Sequence, residues 1–91
     1  MQIPKEFAEF GVRVDQDSLY GFASLDDAIR AAIQAIGAAR AAVVREYLDQ
    51  VISQPHTNEE LSEIWRRSRS GFYIAGPHLI EFFKNLRAAF D

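Results

Sequence analysis

The sequence predicts an all-α protein, a compact bundle of about four helices preceded by an irregular N-terminal arm over residues 1–23. Three observations carry that prediction. Apolar residues recur at three- and four-residue steps in separate runs, which places each run on one helical face. Ser24 and Thr57 each stand three residues before a carboxylate, the spacing of a capping box ahead of a helix. Glycine or proline separates the runs, and the connections are a few residues long, as in helical bundles. With 91 residues, 48% of them apolar and 25% charged, the chain suits one globular domain over 1–91 and not a disordered segment.

Pro4, followed by Glu6, Phe7 and Phe10, allows one short helix with proline in its first turn and its end at Gly11. The stretch GVRVDQDSLYGF then alternates without a sustained period and reads as loop, with Val12, Val14, Leu19, Tyr20 and Phe22 pinning the arm to the core. After the Ser24–Asp27 box, Leu25, Ala28, Ile29, Ala32, Ile33 and Ile36 predict a helix over about 25–36. Gly37 favours a break there as a left-handed C-cap; a single bent helix over 25–53 is the alternative. Val43, Val44, Tyr47, Leu48, Val51 and Ile52 form the second stripe, and Gln54-Pro55 ends it, because the residue before proline is pushed out of helix.

Thr57 and Glu60 make the stronger capping box, and Leu61, Ile64 and Trp65 give the next helix its apolar face. Arg66, Arg67 and Arg69 complement its C-terminal dipole, and Ser70-Gly71 supplies the turn. Phe72, Tyr73 and Ile74 are too few for an independent strand. Gly76-Pro77 opens the last helix, whose Leu79, Ile80, Phe82, Phe83, Leu86 and Phe90 are expected to be the largest single contribution to the core.

Charge alternates in blocks along the chain. Residues 1–27 carry net −4, 28–45 net +3, 46–63 net −5 and 64–91 net +3, within an overall −3. Helix electrostatics accounts for much of this, since acids favour N-terminal turns and bases C-terminal ones. The functional reading is that two acidic surfaces face a basic partner: one around Asp15, Asp17, Asp26 and Asp27, the other around Glu59, Glu60 and Glu63. The negative sign disfavours nucleic acid, which needs clustered positive charge; Arg66, Arg67 and Arg69 with Phe72 and Tyr73 read first as a helix end followed by a buried aromatic turn.

Chemistry is scarce. The absence of cysteine removes thiolate catalysis and disulfides, and two histidines are too few for most metal sites. His78 and Glu81 read as an exposed first-turn pair, and His56 as a solvent-facing turn residue. Ser62, Ser68 and Ser70 lack the context of a nucleophile elbow, and no phosphate-cradling glycine loop is present. No enzyme, metal or cofactor is expected. No apolar run approaches the roughly 18 residues of a spanning helix, so a cytoplasmic protein without a membrane partner is expected.

Tyr47-Leu48-Asp49, Thr57-Asn58-Glu59-Glu60-Leu61 and Ile64-Trp65-Arg66-Arg67-Ser68, continuing loosely through Phe72 and Phe82-Phe83 to Leu86-Arg87, resemble a pattern of small bacterial immunity proteins of contact-dependent growth inhibition systems. It is a packing pattern covering a little under half the chain. The turn after the Trp helix reads Arg69-Ser70-Gly71, where that pattern carries an acidic residue. The resemblance implies a non-enzymatic protein that binds a cognate toxin domain and occludes its active site, for instance a nuclease with a basic cleft. Asp15, Asp17, Asp26 and Asp27, in or beside the irregular arm where binding residues tend to collect, are the first candidates for contact and Glu59, Glu60 and Glu63 the second. The competing class is a helical adaptor or oligomerisation module using the small residues Ala38, Ala39, Ala41 and Ala42; monomer and dimer both stay open.

Overall fold

The computed structural model describes residues 3–14, 25–70 and 78–91, and five helices run through them: α1 (Lys5–Gly11), α2 (Leu25–Ile36), α3 (Ala38–Ser53), α4 (Asn58–Arg67) and α5 (Leu79–Ala88). The architecture is all-helical, with no strand among the described residues. Helix α3 lies at the centre, packed against α1, α2 and α5; α1 also meets α2, and α4 pairs with α5.

Pro4 ends the preceding chain in an extended conformation and serves as the N-cap of α1, one residue earlier than the first-turn place expected of it. The arm is no appendage. Phe7 and Phe10 are fully buried, Phe7 against Tyr47 and Trp65 at ring-centroid distances of 5.2 and 6.3 Å, and Phe10 against Phe90 at 5.2 Å. After Gly11 a tight turn, closed by the Val14 N–H donating to the Gly11 carbonyl at 2.9 Å, sends Val14 inward and leaves Val12 45% exposed. Val12 therefore does not pin the arm as expected. Leu19, Tyr20, Phe22 and the Ser24 cap lie outside the described residues.

Helix α2 keeps the predicted bounds, with Ala28, Ile29, Ala32 and Ile36 buried. Gly37 then breaks the chain into two helices. Its φ of 87° and ψ of 163° are an extended positive-φ conformation reserved for glycine, not the αL cap expected, and it serves as N-cap of α3. In α3 the buried stripe is Val44, Tyr47, Leu48 and Val51. Val43, expected in it, is exposed, because the position preceding Val44 is rotated about 100° off the stripe. Gln54, extended before Pro55, ends the helix as predicted.

Helix α5 begins two residues beyond Pro77, which, with Gly71–Ile74 and Gly76, lies outside the described residues. It buries Leu79, Phe83 and Leu86 but leaves Ile80 and Phe82, and Phe90 just beyond it, only partly covered, so fewer of its side chains are fully buried than of α2 or α3. The backbone N–H of Leu79 donates to Oδ1 of Asn58 at 3.0 Å, a cap supplied across from α4 where His78 supplies none. Arg87 pairs with Asp49 at 2.5 Å and with Asp91 at 2.6 Å, linking α5 to α3.

The close approach of the end of α1 to the end of α4 explains a glycine. A Cβ on Gly11 would fall inside contact distance of the Ser68 carbonyl oxygen, 2.6 Å from Ser68 Cβ and 2.7 Å from its carbonyl carbon. Ser68 is fully buried there; its hydroxyl donates to the Trp65 carbonyl at 2.5 Å and accepts from the Ser70 N–H at 3.3 Å. Ser70 in turn donates through its hydroxyl to the Val14 carbonyl, tying the end of α4 to the end of α1. The left-handed residue that turns the chain out of α4 is Arg69, at φ 62°, ahead of the Ser70-Gly71 pair expected to make the turn.

Candidate functional site

Helix α4 is built from its cap upward. Thr57 is extended at φ −72° and ψ 162°, which points its hydroxyl back at the first turn. Its Oγ1 accepts the Glu60 N–H at 3.1 Å, and Glu60 Oε1 accepts the Thr57 N–H at 2.9 Å, the complete capping box that the spacing predicts. Leu61 and Trp65 bury one face, and Trp65 meets Phe82 edge-on at 4.9 Å and Phe83 at 6.4 Å. The opposite face carries the charges.

Glu63 is already committed on that face. Arg66 donates to both of its carboxylate oxygens, at 2.7 and 2.9 Å from Nη2, and Arg67 Nε donates to Oε1 at 3.0 Å. These hydrogen bonds, that of Arg67 first, hold the Glu63 carboxyl below its ordinary range. The Thr57 backbone N–H first and the Thr57 side chain next, with smaller help from His56, do the same for the Glu60 carboxyl. The arginines that suggested a basic patch are thus two guanidiniums sharing one carboxylate, and Glu59 is the exposed acid on α4 without such a partner.

An open cleft of about 440 Å³ runs beside this face. Ile3 and Ile64 give it apolar walls, α4 gives Glu59, Glu60, Glu63 and Arg67, and Tyr47 of α3 and His56 of the α3–α4 turn complete it. His56 is not solvent-facing as the sequence suggested. Its side chain is only 12% exposed, and both ring nitrogens are buried with no hydrogen-bond partner. Pro55 stops α3 and the Thr57 cap starts α4 directly afterwards, so the intervening residue is folded against the groove between them. Glu60 Oε2 lies 3.8 Å from His56 Nδ1, a distance that serves an ion pair but exceeds a hydrogen bond. The Tyr47 hydroxyl is likewise buried without a partner, and burial raises its pKa while the Arg67 charge opposes the rise.

The structure thus brings Glu59, Glu60 and Glu63 together at one cleft. Asp26 and Asp27 sit exposed in the first turn of α2, and Asp15 and Asp17 lie outside the described residues. His78 and Glu81 are exposed, with Glu81 3.9 Å from Lys84. Tyr47 and His56 are polar cleft residues that sequence reasoning did not place in a site. Tyr47 was read only as core, and nothing in spacing tells a phenol that finds a partner from one that does not. Among the described residues, no group of three metal-ligating side chains occurs, and no helix is long and apolar enough to cross a membrane. Compared with protein-family models, characterised proteins and solved structures, the chain matches none.

Proposed function

We propose that the chain is a non-enzymatic, cytoplasmic immunity protein that binds a cognate toxin domain and occludes its active site. What supports this is the presentation of α4: the segment that resembles the immunity pattern folds as a fully capped helix whose acidic face borders an open cleft. Carboxylates fixed on a rigid helix steer a basic partner and speed association. Glu59 and Glu60 lead on this surface, because Glu63 is neutralised by Arg66 and Arg67; Asp26 and Asp27 form a second exposed acidic turn.

Co-expression with the C-terminal region of any large open reading frame encoded directly upstream tests the proposal. One-to-one capture with rescue of growth is the expected result, and reversing Asp26 and Asp27, or Glu59 and Glu60, should slow association and flatten its salt dependence. Absence of capture and of rescue refutes it. One observation favours the adaptor reading instead: Ala38, Ala39, Ala42 and Val43 form an exposed apolar stretch at the start of α3. A dimer by light scattering that forms without any partner would support that alternative.

A further inference from the structure

The break between α2 and α3 is a single residue, and it lacks the devices that close a helix end elsewhere in this chain. Helix α4 starts on a complete capping box, whereas α3 starts on Gly37 with no side-chain cap and no acid in its first turn, where Arg40 stands instead. Helix α2 has no base in its last turn, and Arg40 Nη1 reaches the Ile36 carbonyl only at 3.5 Å. The amides of Ala38, Ala39 and Arg40 have no partner within α3, nor have the carbonyls of Gln34, Ala35 and Ile36 within α2. Each amide stands four residues after one of these carbonyls, so one continuous helix would pair them all. Alanine is the best helix former, and Ala35, Ala38, Ala39, Ala41 and Ala42 surround the break. The buried positions also stay in phase through it: Ile36 follows Ile29 by seven residues, Tyr47 follows Ile36 by eleven and Val51 follows Tyr47 by four, each close to whole turns. What holds the break is the packing of α2 on α3 and α1, together with a glycine that accepts a φ of 87°.

We infer that Gly37 is a domain-swapping hinge and that the partner it serves is a second copy of this chain. Straightened, residues 25–53 form one helix about 43 Å long. The longest axis of the molecule is 34 Å, so α2 can no longer lie on its own α3, and α1, which precedes it, leaves as well. Opening uncovers Phe7, Phe10, Ile29 and Ile36 on one side and Val44, Leu48 and Val51 on the other, all buried in the monomer. The α1 and α2 of a second copy are the segments that this vacated seat is shaped for. In a two-fold dimer each chain lays them on the α3 of the other, and their packing is kept while only the hinge changes. The gain is the set of backbone hydrogen bonds across the hinge; the costs are the entropy of association and a glycine inside a helix. The balance leaves the native chain a monomer in dilute solution and opens the dimer to chains that refold at high concentration. The inference stands apart from the proposed function.

The test is Gly37→Ala, refolded from urea at high protein concentration and sized by light scattering. Each hinge sheds an alanine strained at positive φ and gains alanine's helix propensity, and a dimer has two hinges, so the dimerisation constant should rise about a thousandfold or more. Dilute samples of the variant stay the strained monomer. Two glycines inserted after Gly37 free the turn and should lower the dimer fraction below that of the native chain. The swap itself reads as a distance within one chain. Spin labels at the exposed positions of Asp26→Cys and Gln50→Cys, in a sequence with no other cysteine and diluted with unlabelled Gly37→Ala chain, should lie about 36 Å apart in the dimer. They lie closer in the monomer, where α2 folds back on α3. A Gly37→Ala protein that stays monomeric at every concentration, or a dimer that keeps the monomer's distance, overturns the inference. If Gly37→Ala does not fold, the native chain refolded at high concentration carries the test. A dimer with the long distance that persists on dilution, because exchange requires unfolding, supports the inference, and the absence of any dimer overturns it. An adaptor dimer formed through the exposed alanines of α3 keeps the monomer's distance, and toxin capture has no part in the measurement, so failure here is distinct from failure of the proposed function.

Discussion

Gly11→Ala adds one methyl group where the structure has no room for it. Gly37, and not Gly11, has the positive φ closed to other residues, so Gly11 is required for space. Two of the atoms a Cβ would meet, 2.6 and 2.7 Å away, are carbons of Ser68, and the nearest is its backbone carbonyl oxygen. Carbon atoms pack at about 3.5–4.0 Å, so α1 and the end of α4 must part by roughly 1 Å. That movement pulls on Phe7, Phe10 and Val14, all fully buried, and on the Ser70–Val14 hydrogen bond. Overpacking of this kind costs about 1–3 kcal/mol, and loosening a well-packed aromatic contact adds to it; the gain from alanine's helix propensity returns at most about 1 kcal/mol. A net loss of about 2–3 kcal/mol follows, read as a fall in the urea midpoint with unchanged slope. Ser68→Gly in the same background should not rescue it, because the backbone oxygen remains. A Gly11→Ala protein as stable as wild type, or a full rescue by Ser68→Gly, would refute the reasoning.

Other perturbations separate the remaining forces. Trp65→Ala removes a side chain that is 4% exposed and contacts Phe7, Phe82 and Phe83, and should cost about 3–5 kcal/mol in chemical denaturation; a melting point within a degree or two of wild type would contradict it. Gly37→Ala meets no atom within 4 Å, so its cost of about 1–3 kcal/mol comes from backbone conformation alone, and it should lower the melting temperature by at least about 4 °C without changing near-ultraviolet dichroism. Thr57→Ala removes one half of the capping box and should cost about 1 kcal/mol by thermal melting. The same substitution should flatten stability against pH only slightly, since it removes the Thr57 side chain but keeps the Thr57 backbone N–H, the larger cause of the Glu60 shift. Glu60 titrates lower in the folded protein than in the unfolded chain, chiefly through its Thr57 bonds, so its contribution is present above the ordinary glutamate pKa of about 4.3 and fades as pH falls through the lower folded value.

The fold was legible where one residue's chemistry acts on its own backbone. Pro55, the Thr57–Glu60 box and Gly37 act over a turn or less, and the bounds of α2, α3 and α4 followed from them. What escaped was set by contacts between distant segments. Nothing local says that Gly11 must face Ser68, that Asn58 caps the start of α5, or that Phe7 and Phe10 enter the centre of the bundle. Val43 and Val12 show the same limit from the other side: both are apolar, and only their rotation about the chain axis, set by partners elsewhere, leaves them exposed.

The candidate site divides the same way. The carboxylates of α4 were visible as a charge block, but their availability was not, since Glu63 and Glu60 are spent to different degrees on neighbours three and four residues away. Glu60 joins the two levels, because one of its oxygens holds the helix start and the other borders the cleft beside His56. A ligand drawing on Oε2 would act on the carboxylate that also caps α4. Occupancy of the cleft and the stability of the first turn of α4 are therefore coupled, and amide exchange at Thr57, whose N–H the Glu60 carboxylate accepts, is where that coupling reads out: slower exchange with a partner bound than without it, and no partner dependence in Glu60→Ala, where the carboxylate is gone.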